Sequence, residues 1–194
     1  MTYSQNNEED VILGYFYGKS GRFLDIGAFD GIRMSNTRAL VDRGWGGVYV
    51  ECSPKVLPAL YANCPPDCKV EAVGLGSANS EDDFYDNENG YATLVAARSE
   101  EWKGLQHFYA IKIQVEDWAT FYSTRTPGQQ FDCISIDIEG MNRLLLKQMD
   151  LVALGCRLLV VEYEPNLVDD YIAIAQNSGM ILIYRNQENL IFAR

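Results

Sequence analysis

The chain has 194 residues, with 27 Asp and Glu against 16 Lys and Arg, a net charge of −11. Hydrophobic residues make up 47% and charged residues 22%, globular proportions that exclude a disordered tail, a collagen-like chain and a coiled coil. So acidic a chain is a poor partner for duplex nucleic acid, which is bound by neutralising phosphates, or for an anionic membrane surface, and no uncharged apolar stretch reaches the ~18 residues of a membrane span.

The first ten residues are polar and acidic, unlike a secretory leader. The cysteines are Cys52, Cys64, Cys68, Cys133 and Cys156, an odd set that reads as reduced thiols in a cytoplasmic protein. Cys64 and Cys68 flank two prolines, but a zinc site needs a second ligand pair and the only histidine is His107, so a structural metal is not expected there.

The elements follow in order. Residues 22–28 are a short apolar run ending in small residues, hence a buried strand. Residues 35–43 open on a Ser/Asn cap signal and read as a helix stopped near Gly44. Residues 46–51 make a second strand, 54–63 a helix with proline at its start, and 68–75 a third strand. The stretch 77–107 opens with 77–90, acidic and polar, read as a loop or mobile hairpin tip. Its position after the third strand suits a lid or acceptor-selecting loop. Residues 91–97 and 108–118 are strand candidates. Residues 131–138 are a buried strand, 141–151 a helix, 157–163 a strand and 167–177 a helix ending at Gly179. Residues 180–185 and 189–194 close the chain as a hairpin. No linker divides it, so 1–194 is one domain.

Strands alternating with helices, each apolar almost throughout, predict an α/β fold: a doubly wound, mostly parallel sheet covered on both faces. The closing hairpin makes the final strand antiparallel. Such sheets bind ligands at the carboxyl ends of their strands. After the first strand comes Asp25-Ile26-Gly27-Ala28-Phe29-Asp30-Gly31, where Gly27 can take positive φ and let a ligand approach the backbone. Glu51 ends the second strand 20 residues after Gly31, the place of an acid that accepts ribose hydroxyls. The turn is not GxGxxG, and Asp25 and Asp30 would sit badly beside a pyrophosphate. A cationic, phosphate-free nucleoside such as S-adenosylmethionine suits this company better. A nicotinamide oxidoreductase and a non-catalytic nucleoside-binding module are the alternatives.

Two further strand ends carry acids: Asp137 and Glu139, then Glu162 and Glu164. In an extended chain each pair shares a face, so up to four carboxylates could line one crevice. Three explanations compete: a general base for a hydroxyl nucleophile, with Glu139 first and Asp137 orienting; a hard divalent cation; or solvated loop acids. Tyr15 and Lys19 echo the Tyr-x-x-x-Lys of short-chain dehydrogenases but precede the first strand. Gly18-Lys19-Ser20 echoes a phosphate loop, but Leu13 stands where its first glycine belongs. With one histidine and no Gly-x-Ser-x-Gly, a serine hydrolase is disfavoured.

Taken together, SQNNEED at 4–10, FLDIGAFDG at 23–31, SNT at 35–37, GWGGVYVE at 44–51, SIDIEG at 135–140 and VVEYEP at 160–165 resemble the FkbM-type methyltransferases. NLIFAR at the C-terminus resembles that family's closing strand. The resemblance implies a class I, Rossmann-like fold with a seven-stranded sheet, S-adenosylmethionine as methyl donor, and O-methylation of hydroxyls on sugars, glycans or natural products. It implies a small-molecule or glycan acceptor and an N-terminal lid segment over residues 1–20, in which Gln5, Glu9 and Asp10 lie. Asp25 and Gly27 match the methionine-binding turn and Glu51 the ribose acid. Ala28, Asp30, Gly31 and Cys52 join the cofactor-binding set. Asn36 and Thr37 either cap a helix or line the pocket. A metal is not expected, though Asp137, Glu139, Glu162 and Glu164 are its possible ligands. The chain departs from the family at Cys52-Ser53-Pro54 and in the acidic composition of 77–107.

Overall fold

Successive residues of the central strands pack into two different cores. Leu24, Ile26, Ile134, Ile136, Leu159 and Val161 belong to one; Phe23, Tyr49, Cys133, Leu158, Val160 and Ile191 belong to the other. That alternation, with both sets buried, is what a sheet covered on two faces requires. The computed structural model describes residues 2–87, 92–96 and 108–194.

The elements are α1 (Glu8–Tyr15), β1 (Arg22–Ile26), α2 (Arg38–Val41), β2 (Gly46–Glu51), α3 (Leu57–Asn63), β3 (Cys68–Ala72), β4 (Gly74–Leu75), β5 (Ser80–Asp86), β6 (Tyr109–Glu116), α4 (Trp118–Arg125), β7 (Cys133–Ile136), α5 (Asn142–Leu146), β8 (Leu158–Glu162), a 3-10 turn (Pro165–Leu167), α6 (Val168–Asn177), β9 (Ile181–Arg185) and β10 (Asn189–Ala193). Seven strands form one sheet in the order β3-β2-β1-β7-β8-β10-β9. The neighbours from β3 to β8 are parallel, and β10 is antiparallel to both β8 and β9. This is the expected doubly wound sheet with a reversed final strand. The chain runs outward from β1 and returns at β7, so the crevice opens above the β1–β7 boundary.

A second, three-stranded sheet has the order β4-β6-β5. The strand expected over 68–75 is therefore two: Val73 N–H donates to Glu51 C=O, and Gly74–Leu75 leave the main sheet to pair with β6. Residues 80–86, expected as loop, form β5 and pair with β6 over their full length. Among the described residues of the strand expected at 91–97, only Thr93 bridges to Tyr85. The rest of that expectation, most of the 88–107 stretch and His107 lie outside the described residues. Arg125 fastens the two sheets, bonding Glu116 through both Nε (2.9 Å) and Nη2 (2.7 Å) and Glu71 on β3 (3.1 Å).

The helices differ in extent. The one expected over 35–43 is confined to α2, because Ser35 to Thr37 hold side-chain bonds described below. The helix expected over 141–151 ends at Leu146, and Asp150 opens a separate turn by accepting from Val152 and Ala153 N–H (both 3.0 Å). Two helices were not legible. α1 buries Ile12, but also Glu8 and Glu9, so its apolar stripe is broken. α4 starts at Trp118, where the β6 pattern still continues; Asp117 caps it by accepting from Thr120 N–H at 2.7 Å. Among the described residues no helix is long and apolar enough to cross a membrane.

Candidate active site

The turn after β1 is built from its backbone outward. Gly27 sits at φ +83°, with Gly27 and Ala28 N–H donating to Val50 C=O (3.0 and 3.1 Å). A Cβ on Gly27 would fall 1.7 Å from Asp137 O, so the loop after β7 crosses directly over this glycine. Behind the turn, Asp25 is buried and accepts a 2.6 Å bond from Thr37 Oγ1. Burial pushes its carboxyl up to about 6, Thr37 opposes, and Glu51 adds to the rise.

Glu51 ends β2 facing the same turn. Its Oε2 accepts from Phe29 N–H (2.9 Å), and its Oε1 from Cys52 and Ser53 N–H (2.7 and 2.8 Å). Burial raises its pKa, and these three amides oppose the rise. The carboxylate is thereby held rigidly at the wall of an apolar chamber. Val50, Cys52, Val73, Leu75 and Phe84 form much of that chamber, and Asp86 and Thr93 face it from the small sheet. Asp86 is 1% exposed and accepts from Ser53 Oγ at 2.5 Å.

A second, more polar chamber adjoins the first. Gln5, Asn36, Ser135, Glu162 and Glu188 line it with Asp25. Gly27, Phe29, Asp137 and Glu139 are walls of both. One crevice therefore runs across the β1–β7 boundary, apolar at one end and acid-rich at the other. Asp137, Glu139 and Glu162 each place one carboxylate oxygen within 4.8 Å of the others. Glu164 instead accepts from Tyr171 Oη of α6 at 2.5 Å. The grouping does not come from the extended chain that the sequence predicts. β7 ends at Ile136, and Glu139 lies in a turn at φ +31°.

Burial pushes the Asp137 carboxyl up to about 7, and the nearby Glu139 charge adds to it. The native state therefore holds a proton that the unfolded chain releases near pH 3.8, and stability drains as pH rises from about 4 to about 7. Asp137→Asn removes that loss. In urea denaturation of the ligand-free protein it should gain on the order of 2 kcal/mol at pH 8 and nothing at pH 3. An unaltered midpoint at pH 8 would place the Asp137 carboxyl in ordinary solvent.

The sequence profile of the methyltransferase FkbM domain matches residues 25–183. The chain belongs to the FkbM methyltransferase family. It is an S-adenosylmethionine-dependent methyltransferase with a class I fold. Among solved structures, the ribosomal protein L11 methylase of Lactobacillus delbrueckii subsp. bulgaricus aligns over 96% of this chain and 76% of its own, at 12% identity and a TM-score of 0.51. Precorrin-6y C5,15-methyltransferase of Geobacter metallireducens aligns over 98% and 92%, also at 12% and 0.51. At such identity the likeness is one of fold. No curated protein matches the chain in sequence.

The residues singled out in this FkbM methyltransferase fall into two groups. Gln5, Asp25, Gly27, Ala28, Asn36, Glu51, Cys52, Asp137, Glu139 and Glu162 line the crevice. Asp30, Gly31 and Thr37 shape it from behind. Asp30 accepts from Ile32 and Arg33 N–H and pairs with the Arg33 guanidinium at 2.6 Å. Gly31 takes φ +74° against Leu60. Between capping and lining, the SNT segment divides the work. Ser35 Oγ accepts from Arg38 N–H (3.0 Å), Asn36 donates to Ser135 Oγ (3.2 Å), and Thr37 holds Asp25. Sequence reasoning missed Phe29, Ser53, Asp86, Thr93, Ser135 and Glu188. Ser135 had a signal, two residues from Asp137 in the strand pattern; Asp86, Thr93 and Glu188 arrive from elements distant in sequence.

Proposed function

We propose that this FkbM methyltransferase methylates a hydroxyl oxygen on a sugar, glycan or natural product, with Glu139 as proton acceptor. The observation that carries the reading is the standing of Glu139, beside Asp137, at the junction of the two chambers. The apolar chamber fits the nucleoside part of the donor. Glu51 is held there as an acceptor for ribose hydroxyls, and Val50, Val73, Leu75 and Phe84 offer apolar walls for a base. Asp25 and Asp137 suit the donor's cationic end. Among the described residues, the one cationic side chain lining the crevice, Arg33, is paired with Asp30, which favours a donor without phosphates.

S-adenosylmethionine, when bound, supplies a methyl group on a sulfonium leaving group. This chain's residues supply the rest. Gln5, Asn36 and Ser135 offer hydrogen bonds that orient a hydroxylated acceptor. A Glu139 carboxylate oxygen takes the hydroxyl proton as the new C–O bond forms, and releases it to water after product leaves. The acid-rich chamber favours neutral or amine-bearing acceptors over phosphorylated ones.

The segment before α1 serves as the lid over that chamber. It is fastened at both ends: Tyr3 Oη donates to Asp42 (2.7 Å), Asn6 Nδ2 to Glu188 (2.8 Å), and Asn186 and Asn189 to buried Glu8. The small sheet instead walls the nucleoside chamber, through Leu75, Phe84 and Asp86.

Methyl transfer from isotope-labelled donor to a panel of sugars and natural products tests the reading. Label on a hydroxyl oxygen is expected. Label only on nitrogen, or only on RNA, would overturn it.

A second reading rests on the three acid oxygens within 4.8 Å, a spacing that a divalent cation could bridge. Chelation separates it from the first.

A further inference from the structure

Glu139 holds a backbone conformation rare for an L residue, φ +31°, and Gly140 follows at φ +87°. Such a conformation persists only where its surroundings hold it. Among the described residues, the turn's own bond from Met141 N–H to Ile138 C=O (3.2 Å) and three further hydrogen bonds do so. Asp137 N–H donates to Ile26 C=O (2.8 Å), and Ile138 N–H to Asn142 Oδ1 (2.7 Å). The third falls on Glu139 itself: Thr93 Oγ1 donates to its C=O at 2.7 Å.

Thr93 is well placed to act as an anchor. It is 1% exposed, and its hydroxyl also accepts from Val95 N–H (3.0 Å). With one donor and one acceptor role filled, the hydroxyl has a fixed orientation. Its own N–H and C=O both pair with Tyr85 (3.0 and 2.9 Å). The next residue, Asp86, is held by Ser53 Oγ, and Ser53 N–H donates to Glu51. A continuous chain of bonds thus runs from Glu51, through the small sheet, to the main chain of Glu139.

We propose that Thr93 is a positioning residue for methyl transfer, its hydroxyl fixing the Glu139 backbone so that the carboxylate stands beside Asp137 where the two chambers meet. The purpose of the contact rests on the reading of Glu139 as proton acceptor. Without the hydroxyl, the Glu139 carbonyl loses this partner. The loop then relaxes toward negative φ and carries the carboxylate away from Asp137.

The test needs no acceptor. Thr93→Val and Thr93→Ser are each saturated with S-adenosylhomocysteine. Carbon-13 NMR at one fixed pH follows the Glu139 Cα and carbonyl shifts, which report its backbone conformation, and hydrogen exchange follows the amides of residues 139–141. In Thr93→Val, the Glu139 Cα and carbonyl shifts should move away from their left-handed values as the backbone relaxes toward negative φ. Gly140 and Met141 amides should exchange at least about tenfold faster. Thr93→Ser keeps the hydroxyl and should match wild type in both.

A packing role for the Thr93 methyl group predicts the reverse, Ser impaired and Val intact, and would overturn the proposal. So would a Thr93→Val protein with unaltered Glu139 shifts and unaltered exchange. Loss of fold in Thr93→Val together with an impaired Ser variant would also count against it. The base reading fails separately, if Glu139→Gln turns over normally on an identified acceptor. That result would remove the catalytic purpose of the contact while leaving the NMR result intact.

Discussion

Glu139→Gln should bind S-adenosylmethionine as the wild type does and lose turnover by about 10²–10⁴-fold. The amide is nearly isosteric with the carboxylate, and the contact that holds this loop falls on the Glu139 main-chain carbonyl, which the substitution keeps. Proton acceptance is lost, together with the charge that helps to raise the Asp137 carboxyl. A general base and a bridging cation both predict an inactive variant, so the variant alone does not choose between them. Chelator does. If Asp137, Glu139 and Glu162 hold a divalent cation, chelation abolishes turnover and Mg²⁺ restores it. If Glu139 acts as base, chelation changes nothing. A fully active Glu139→Gln enzyme would remove both roles and leave alignment within the pocket as the source of rate.

Gly27→Ala should cost about 3–5 kcal/mol of stability, combining a left-handed conformation disfavoured for alanine with a steric conflict that nearby atoms cannot relieve cheaply. The new Cβ would lie 1.7 Å from Asp137 O and 2.7 Å from Asp137 C, and both are backbone atoms. Moving them strains the Asp137 N–H bond to Ile26 C=O at one end and the Gly27 N–H bond to Val50 C=O at the other. For a domain of this size the loss corresponds to a melting point about 10 °C lower. Donor affinity should fall with it, since the same turn is a wall of both chambers. A melting point within about 2 °C of wild type would mean that the loop after β7 does not cross Gly27 as closely as described.

The main sheet was legible because its inner strands β1, β2, β7, β8 and β10 are buried on both faces, so their apolar runs stand out without any knowledge of their partners. The small sheet was not. β5 carries Glu81, Asp82 and Asp83 on its exposed positions, and its polar side chains are answered across the strand. Lys112 pairs with Asp83 at 3.0 Å, and Gln114 donates to Glu81 at 3.1 Å. Phe84 alone marks its apolar face, too little for a periodicity. α1 was hidden for a related reason: buried Glu8 satisfies Asn186 and Asn189 from the far end of the chain.

The crevice divides along the same line. Asp25, Gly27 and Glu51 were readable because their chemistry is local to a strand end and the turn beside it. Asp86, Thr93 and Glu188 depend on pairings between distant segments, which no local spacing encodes. Asp137 and Glu139 were recognised for an incomplete reason, since a left-handed turn rather than an extended strand brings them together.

The central claim is that donor binding depends on Glu51 at the end of β2. Calorimetric titration of S-adenosylmethionine into wild type and Glu51→Ala tests it most directly. The wild type should bind one equivalent. The variant should bind about 10- to 150-fold more weakly, the loss of hydrogen bonds to a charged group worth about 1.5–3 kcal/mol. Equal affinity in the two proteins, or a wild type that binds NAD and not S-adenosylmethionine, would contradict the account.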